Sequence, residues 1–196
     1  MRRYAVLLAL ALAGTVSAQA SDWHKTITVR DRQRLRDWRT AWKGALAAVK
    51  TSGVAAVAAD PVLFDPDAAL IDRALPPAGA YRCRHVGIGT GLDRAELKIE
   101  PWGRCRIDGD DLPRQFSDLD GGERRAGLIC ADTDRRAIFL GTTMFGDEHR
   151  PETYGHAAGR DLAGAVERIG EQRWRLVLPY PRFGATLDLI ELLPAS

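Results

Sequence analysis

The chain has 196 residues, 45% hydrophobic and 28% charged, with 28 Lys and Arg against 26 Asp and Glu. That length suits one domain with a sizeable core. Arg2 and Arg3 account for the whole positive surplus, so the chain beyond residue 20 carries 26 charges of each sign; with its arginines interleaved among acids, nucleic acid and bulk anionic membrane are excluded as expected partners.

Residues 1–20 read MRRYAVLLALALAGTVSAQA, with a positive start, an apolar run over Tyr4 to Gly14, and Ala18-Gln19-Ala20 as a cleavage signature. This pattern predicts a secretory signal peptide. A membrane-spanning helix needs about twenty apolar residues, and no other segment approaches that. Cleavage after Ala20 leaves no cysteine at the new start to carry a lipid. The expected product is periplasmic, without stable membrane insertion.

From Asp31 to Lys50 apolar side chains recur at Leu35, Trp38, Trp42, Leu46 and Val49, the stripe of a helix laid on a core. Thr28 and Asp31 have the spacing of a capping box, and Ser52-Gly53 supplies a stop. The opposite face, with Arg32, Arg36, Arg39 and Lys43, is expected to be solvated. Residues 53–78 read as a connector packed over the body, because Val62, Leu63, Phe64, Leu70 and Ile71 call for burial. Pro66 is expected to open a short helical turn through DAALIDRAL. Residues 21–78 thus form a helical segment and connector belonging to the same domain as residues 79–196.

Beyond Gly79 the periodicity changes to two and turn signals recur, the pattern of an all-β fold. Nine strands are predicted: AYRCRHVGI, RAELKIEPW, GRCRIDG, RQFSDLD, RRAGLICAD, RRAIFLGTT, LAGAVERIG, QRWRLVLPY and TLDLIELLP. Short connections imply antiparallel order. Unpaired edges invite aggregation, so the expected architecture is an up-and-down antiparallel barrel of eight or nine strands, calycin- or lipocalin-like, with a two-sheet sandwich as the alternative.

Cys83 and Cys105 share an R-C-R setting and face one side of the sheet by the two-residue period, so they are expected to form a disulfide in an oxidising compartment. Cys130 is then the odd cysteine, read as a buried thiol. If Cys83 points inward, so does His85. Trp174, Leu176, Leu178 and Tyr180 occupy one face of their strand.

Gly87-Ile88-Gly89-Thr90-Gly91 lacks the Lys and Ser or Thr of a phosphate loop and reads as a glycine-permitted turn. The segment GDEHRPETYGHAAGRD, residues 146–161, is the longest stretch of the strand region without periodicity, and is expected to lie over one barrel end as a lid. Arg160 with Asp161, and Glu167 with Arg168, are expected to pair within the sheet, and Tyr154 to put its ring inside the barrel end. His149, His156 and Asp161 are the nearest approach to a metal set, but their spacing matches no H-E-x-x-H box, so no metal site is expected. No G-x-S-x-G elbow is present, and no catalytic residue or cofactor is expected.

DRQRLRDWRTAW, AYRCR, FLGTTMFGDE, VERIGEQRWRLVLPYP and LDLIELLP together resemble the exported bacterial domain-of-unknown-function family 4893 (DUF4893) over nearly the whole chain after the leader. The resemblance implies export and a single domain; it transfers no activity. The expected function is a non-enzymatic periplasmic barrel binding a small apolar or amphipathic ligand, through His85, Tyr154, His156 and Trp174, or binding an envelope protein. The alternative is a periplasmic hydrolase or metal-dependent enzyme using the Asp147 to Asp161 loop.

Overall fold

The structure, a computed structural model, describes residues 22–90, 95–181 and 185–195. The expected leader, Gly91 at the end of the glycine run, and Arg182, Phe183 and Gly184 of the last expected turn lie outside the described residues. Five helices come first: α1 (Trp23–Thr26), α2 (Val29–Arg36), α3 (Trp38–Ala48), α4 (Val54–Ala59) and α5 (Pro61–Phe64). Nine strands follow: β1 (Gly79–Thr90), β2 (Glu96–Ile99), β3 (Gly103–Asp108), β4 (Arg114–Asp118), β5 (Glu123–Ala131), β6 (Ala137–Phe145), β7 (Asp161–Gly170), β8 (Arg173–Pro179) and β9 (Leu187–Pro194).

The strands pair antiparallel, and β1 closes on β9, giving an eight-stranded barrel. The extra strand, β2, pairs with one half of β1 (Val86 to Thr90), while β3 pairs with the other half (Gly79 to Cys83) on the same edge. Closure leaves no long open edge for another chain to extend.

Side-chain alternation sends Tyr81, Cys83, Phe116, Ile129, Phe139, Val166, Trp174, Leu176 and Ile190 inward, where they form a continuous buried cluster. Among the described residues these side chains fill the lumen. Its packing depends on two facing glycines, Gly127 and Gly141. A methyl on Gly141 would meet the Ala126 carbonyl at 2.3 Å and the Phe139 ring at 2.4 Å, so this ring enters the core because both glycines lack side chains.

The helices coat the outside of one half of the barrel. Strands β3 and β4 alternate between buried and more exposed positions, but β6, β7 and β8 are buried on both faces over nearly their whole length. α2 lies on β7, and α3 lies across β1, β8 and β9. The expected single helix is two: it breaks at Asp37, whose Oδ2 accepts from Gln33 Nε2 at 2.6 Å. The stripe consequently serves two clusters, Leu35 packing with Ile27, Ile138 and Leu140, and Trp42 and Val49 with Val86, Val177 and Leu189. Thr28 caps α2 as expected, accepting from Asp31 N at 3.2 Å.

Charges buried under this coat tie it to the barrel. Arg175 donates to Glu167 Oε2 at 2.8 and 3.0 Å and to the carbonyls of Val62, Leu63 and Asp65, the C-terminal turn of α5. Arg136 takes the other Glu167 oxygen at 2.8 Å. Glu191 likewise accepts from Arg84 at 2.6 Å and from Arg173 at 2.7 Å. The expected Glu167–Arg168 pair is replaced by these contacts, because neighbours on a strand point to opposite faces.

Arg168 points to the inner side and meets a strap formed by residues 70–78. Its guanidinium donates to the carbonyls of Ile71 and Asp72, Trp174 Nε1 donates to Arg73 O, Arg114 to Pro76 O, and Tyr81 Oη to Pro77 O. Five carbonyls of an otherwise irregular segment are thus satisfied by side chains from the barrel end it covers. The expected connector is present, but with a correction: the helical turn starts at Pro61, capped by Asp60, rather than at Pro66. Leu63 and Phe64 are buried, whereas Val62, Leu70 and Ile71 are exposed.

The Gly87-Ile88-Gly89-Thr90 stretch continues β1 instead of turning. Gly89 sits at an irregularity in the pairing with φ of 77°.

Candidate functional site

Ionisable side chains gather at the barrel end opposite the strap. Cys83 on β1 and Cys105 on β3 form a disulfide with a Cα separation of 5.8 Å. The period of two then places His85 on the inner side of β1, and the β3–β4 register sets Asp118 directly across from Cys105. Asp118 Oδ1 lies 3.7 Å from Cys105 Sγ, and Asp118 Oδ2 lies 2.8 Å from His85 Nε2. Despite that proximity, neither ring nitrogen of His85 nor Asp118 Oδ2 makes a hydrogen bond, although all three atoms are buried.

Next to them Arg125 Nη2 on β5 donates to Asp188 Oδ2 on β9 at 3.0 Å. Burial pushes the Asp188 carboxyl up from its ordinary value, against the opposing pull of Arg125 and His85. Burial also works to raise Glu100, but a hydrogen bond and charge from Lys98, with His85 and Arg125 behind it, hold that carboxyl below its usual range. A cavity of about 250 Å³ opens here, bordered by His85, Asp118, Glu100, Asp120 and Trp102. Cys83, Cys105 and Asp118 have ligand atoms within 4.8 Å of one another. With the sulfurs joined, they offer no thiolate to a metal.

The strap end is built differently. Tyr81 and Trp174 meet edge to face, with ring centroids 6.3 Å apart, at the base of a cavity of about 510 Å³. Leu75, Pro77 and Pro194 supply apolar walls, Arg73 and Arg114 supply positive charge, and Glu171 supplies a carboxylate. Arg114 Nη1 donates to Pro76 O at 2.6 Å, but its Nε is buried without a hydrogen-bond partner. Among the described residues no carboxylate forms an ion pair with Arg114. Burial pushes the Tyr81 hydroxyl up to about 12, an effect the nearby Arg114 charge only partly opposes.

The four ligand-binding residues expected from sequence do not converge. His85 borders the cavity at the histidine end, and Trp174 the cavity under the strap. Tyr154 is outside the barrel, where its ring packs with Ile138, Leu140 and Ala163. Its hydroxyl donates to Asp31 Oδ2 at 2.7 Å and accepts from Thr28 N at 3.2 Å, pinning the loop to the start of α2. His156 is exposed, as is His149.

The 146–161 loop accordingly folds back along the outer wall instead of covering the lumen. Asp161, buried, accepts from Gly155 N at 3.0 Å, so it is occupied inside the loop rather than poised with the histidines. Arg160 pairs with Glu148 at 2.7 Å, not with Asp161. Sequence reasoning missed Arg114, Asp118, Arg125 and Asp188. Carrying the inward parity of Phe116 along β4 would have reached the first two.

A family model described as Domain of unknown function (DUF4893) matches residues 23–192. The chain belongs to the DUF4893 family. No curated protein and no solved structure matches it. The matched stretch of this DUF4893 chain runs from α1 into β9, so it takes in the helical coat, the strap and both barrel ends.

Proposed function

We propose that this DUF4893 chain is an exported, non-enzymatic binding protein that holds a small amphipathic anion at the strap end of its barrel. Arg114 carries the proposal: its guanidinium has no ion-pair partner among the described residues and borders a cavity of about 510 Å³ beside Trp174 and Tyr81, whose lining carries one carboxylate, Glu171, against Arg73 and Arg114. Ligand pockets of about 300–1,000 Å³ combine mostly apolar walls with a few placed polar groups. An anionic head on Arg114 and an apolar or aromatic body against Leu75, Pro77 and the two rings would use the whole cavity.

Export is supported by residues 1–20, with their apolar run and A-x-A site, and by the Cys83–Cys105 bridge, which persists in oxidising compartments. Protein recovered from the periplasm is expected to begin at Ser21, as read by intact mass. The alternative of a hydrolase or metal-dependent enzyme using the Asp147 to Asp161 loop is less favoured, because the close group of possible ligand atoms found among the described residues is Cys83, Cys105 and Asp118, away from that loop.

Anilinonaphthalene sulfonate, an aromatic anion that fluoresces when shielded from water, is a suitable probe. Saturable binding is expected, competed by decanoate and weakened at least tenfold, or about 1.4 kcal/mol, by Arg114→Gln. Binding that does not saturate, or that is equal in Arg114→Gln, would overturn the proposal.

A further inference from the structure

The overall balance of charge, which argued against an anionic membrane as a partner, is not kept region by region. Residues 22–50 carry eight Lys and Arg against three Asp, whereas residues 51–196 carry 18 Lys and Arg against 23 Asp and Glu. The first region is the part of the helical coat formed by α1, α2 and α3. We infer that the outward face of this coat docks on an anionic phospholipid surface.

Ion pairing removes only part of the excess. Lys25, Arg34 and Arg39 are matched by Asp22, Asp31 and Asp67. Arg30, Arg32, Arg36, Lys43 and Lys50 are exposed and form no ion pair among the described residues. Trp42, Ala45 and Val49 hold the other side of α3 against the barrel, so Lys43 faces outward.

Positive charge alone suits an acidic protein as well as a membrane; the apolar groups set among these cations favour lipid. Val29, 85% exposed, shares the outward face of α2 with Arg32 and Arg36, at successive steps of three and four residues. Arg32 and Arg36 also border a cavity of about 210 Å³ whose walls include Trp23, Leu35 and Trp38. Arg32 donates to His24 O at 2.9 Å and Arg36 to Gln33 Oε1 at 2.5 Å. A guanidinium has five N–H donors, so each keeps donors for an anion. Arg136, which borders the same cavity, is committed to Glu167, and the one carboxylate in the lining, Asp132, pairs with neither Arg32 nor Arg36.

Free guanidiniums beside an apolar cleft match an anion joined to an apolar body, and the arginine fork suits phosphate oxygens. Tryptophan, here Trp23 and Trp38, is a residue of the membrane–water interface. The contact is peripheral, held by the summed attraction of surface cations to anionic headgroups. None of the described helices is long and apolar enough to cross a membrane.

Vesicle cosedimentation tests the inference. The purified protein is expected to bind phosphatidylglycerol vesicles at least tenfold more tightly than phosphatidylcholine vesicles, and to be released as salt rises to about 0.5 M. Arg32→Gln/Arg36→Gln is expected to weaken binding at least tenfold, and Lys43→Gln/Lys50→Gln severalfold. Arg104→Gln/Arg106→Gln removes the same charge from exposed ion pairs with Asp120 and Asp108 on the β3 side of the barrel, and is expected to leave binding within about twofold. Arg114→Gln likewise leaves vesicle binding unchanged, so failure here is distinguishable from failure at the strap end. Equal binding to both lipids, wild-type affinity in both coat variants, or an equal loss in Arg104→Gln/Arg106→Gln would each overturn the inference. So would capture by immobilised polyglutamate without vesicle binding, the result expected of an acidic protein partner.

Discussion

Glu167 is 1% exposed at its side chain and satisfies Arg175, which is fully buried, and Arg136 at the same time. Removing one partner of a buried pair leaves an uncompensated charge and costs about 3–5 kcal/mol. Glu167→Gln is expected to lose stability on that scale in urea denaturation, whereas Lys43→Ala, on the exposed face of α3, should stay within about 0.5 kcal/mol. The residue types of this network were visible in the sequence, but its pairing was not. Glu167 and Arg168 are adjacent along the chain and therefore on opposite faces of β7, so the partners of Glu167 are Arg136, just before β6, and Arg175 of β8. The same parity rule succeeded where a second position shared the face: Cys83 pointing inward correctly implied His85.

Tyr81 carries a pH prediction. Its hydroxyl titrates near about 12 when folded and near about 10 when unfolded. Between those values the unfolded chain has lost the proton and the native protein keeps it, so ∂ΔG/∂pH is negative. The contribution is fully present below pH ~10 and is lost as pH rises toward ~12. Urea midpoints measured across that window should fall less steeply in Tyr81→Phe than in the wild type. An identical slope in the two proteins would contradict the assignment.

At the scale of elements, the disulfide joins β1 to β3 across a sequence separation of 22. Closing a loop of this size is worth about 3 kcal/mol on the chain-entropy model. The double variant Cys83→Ala/Cys105→Ala is expected to lower stability by about that amount while keeping the β spectrum, because the barrel also closes through β9. This bridge was legible from the R-C-R repeat and the two-residue period. Two other elements were misjudged for physical reasons. The helical stripe was continuous enough to suggest one helix, but the Asp37 break lets its halves lie on different strands. The 146–161 loop is the longest aperiodic stretch between two strands, so a lid over the barrel end was the natural expectation. Tyr154 instead finds its hydrogen-bond partners at the start of α2, more than a hundred residues earlier in the chain.

For the whole molecule, all nine strands follow from alternation and turn residues, since both are local properties of the chain. Closure followed from the need to protect edges. Whether the lumen was open did not, because the answer depends on how Phe116, Phe139, Trp174 and Leu176 meet across the barrel and on Gly127 and Gly141 letting Phe139 in. The strap was hidden for a related reason: its bonds run from inward-facing side chains to backbone carbonyls, and carbonyls carry no sequence signal. Binding is therefore expected at the barrel ends and not along its axis.

The most direct measurement is native mass spectrometry of the protein purified from the cells that produce it, wild type beside Arg114→Gln. The account predicts one small anionic mass retained by the wild type and absent from Arg114→Gln, with both proteins folded. The same mass retained in both proteins, or a bare wild-type protein that also fails to bind anilinonaphthalene sulfonate, would contradict it.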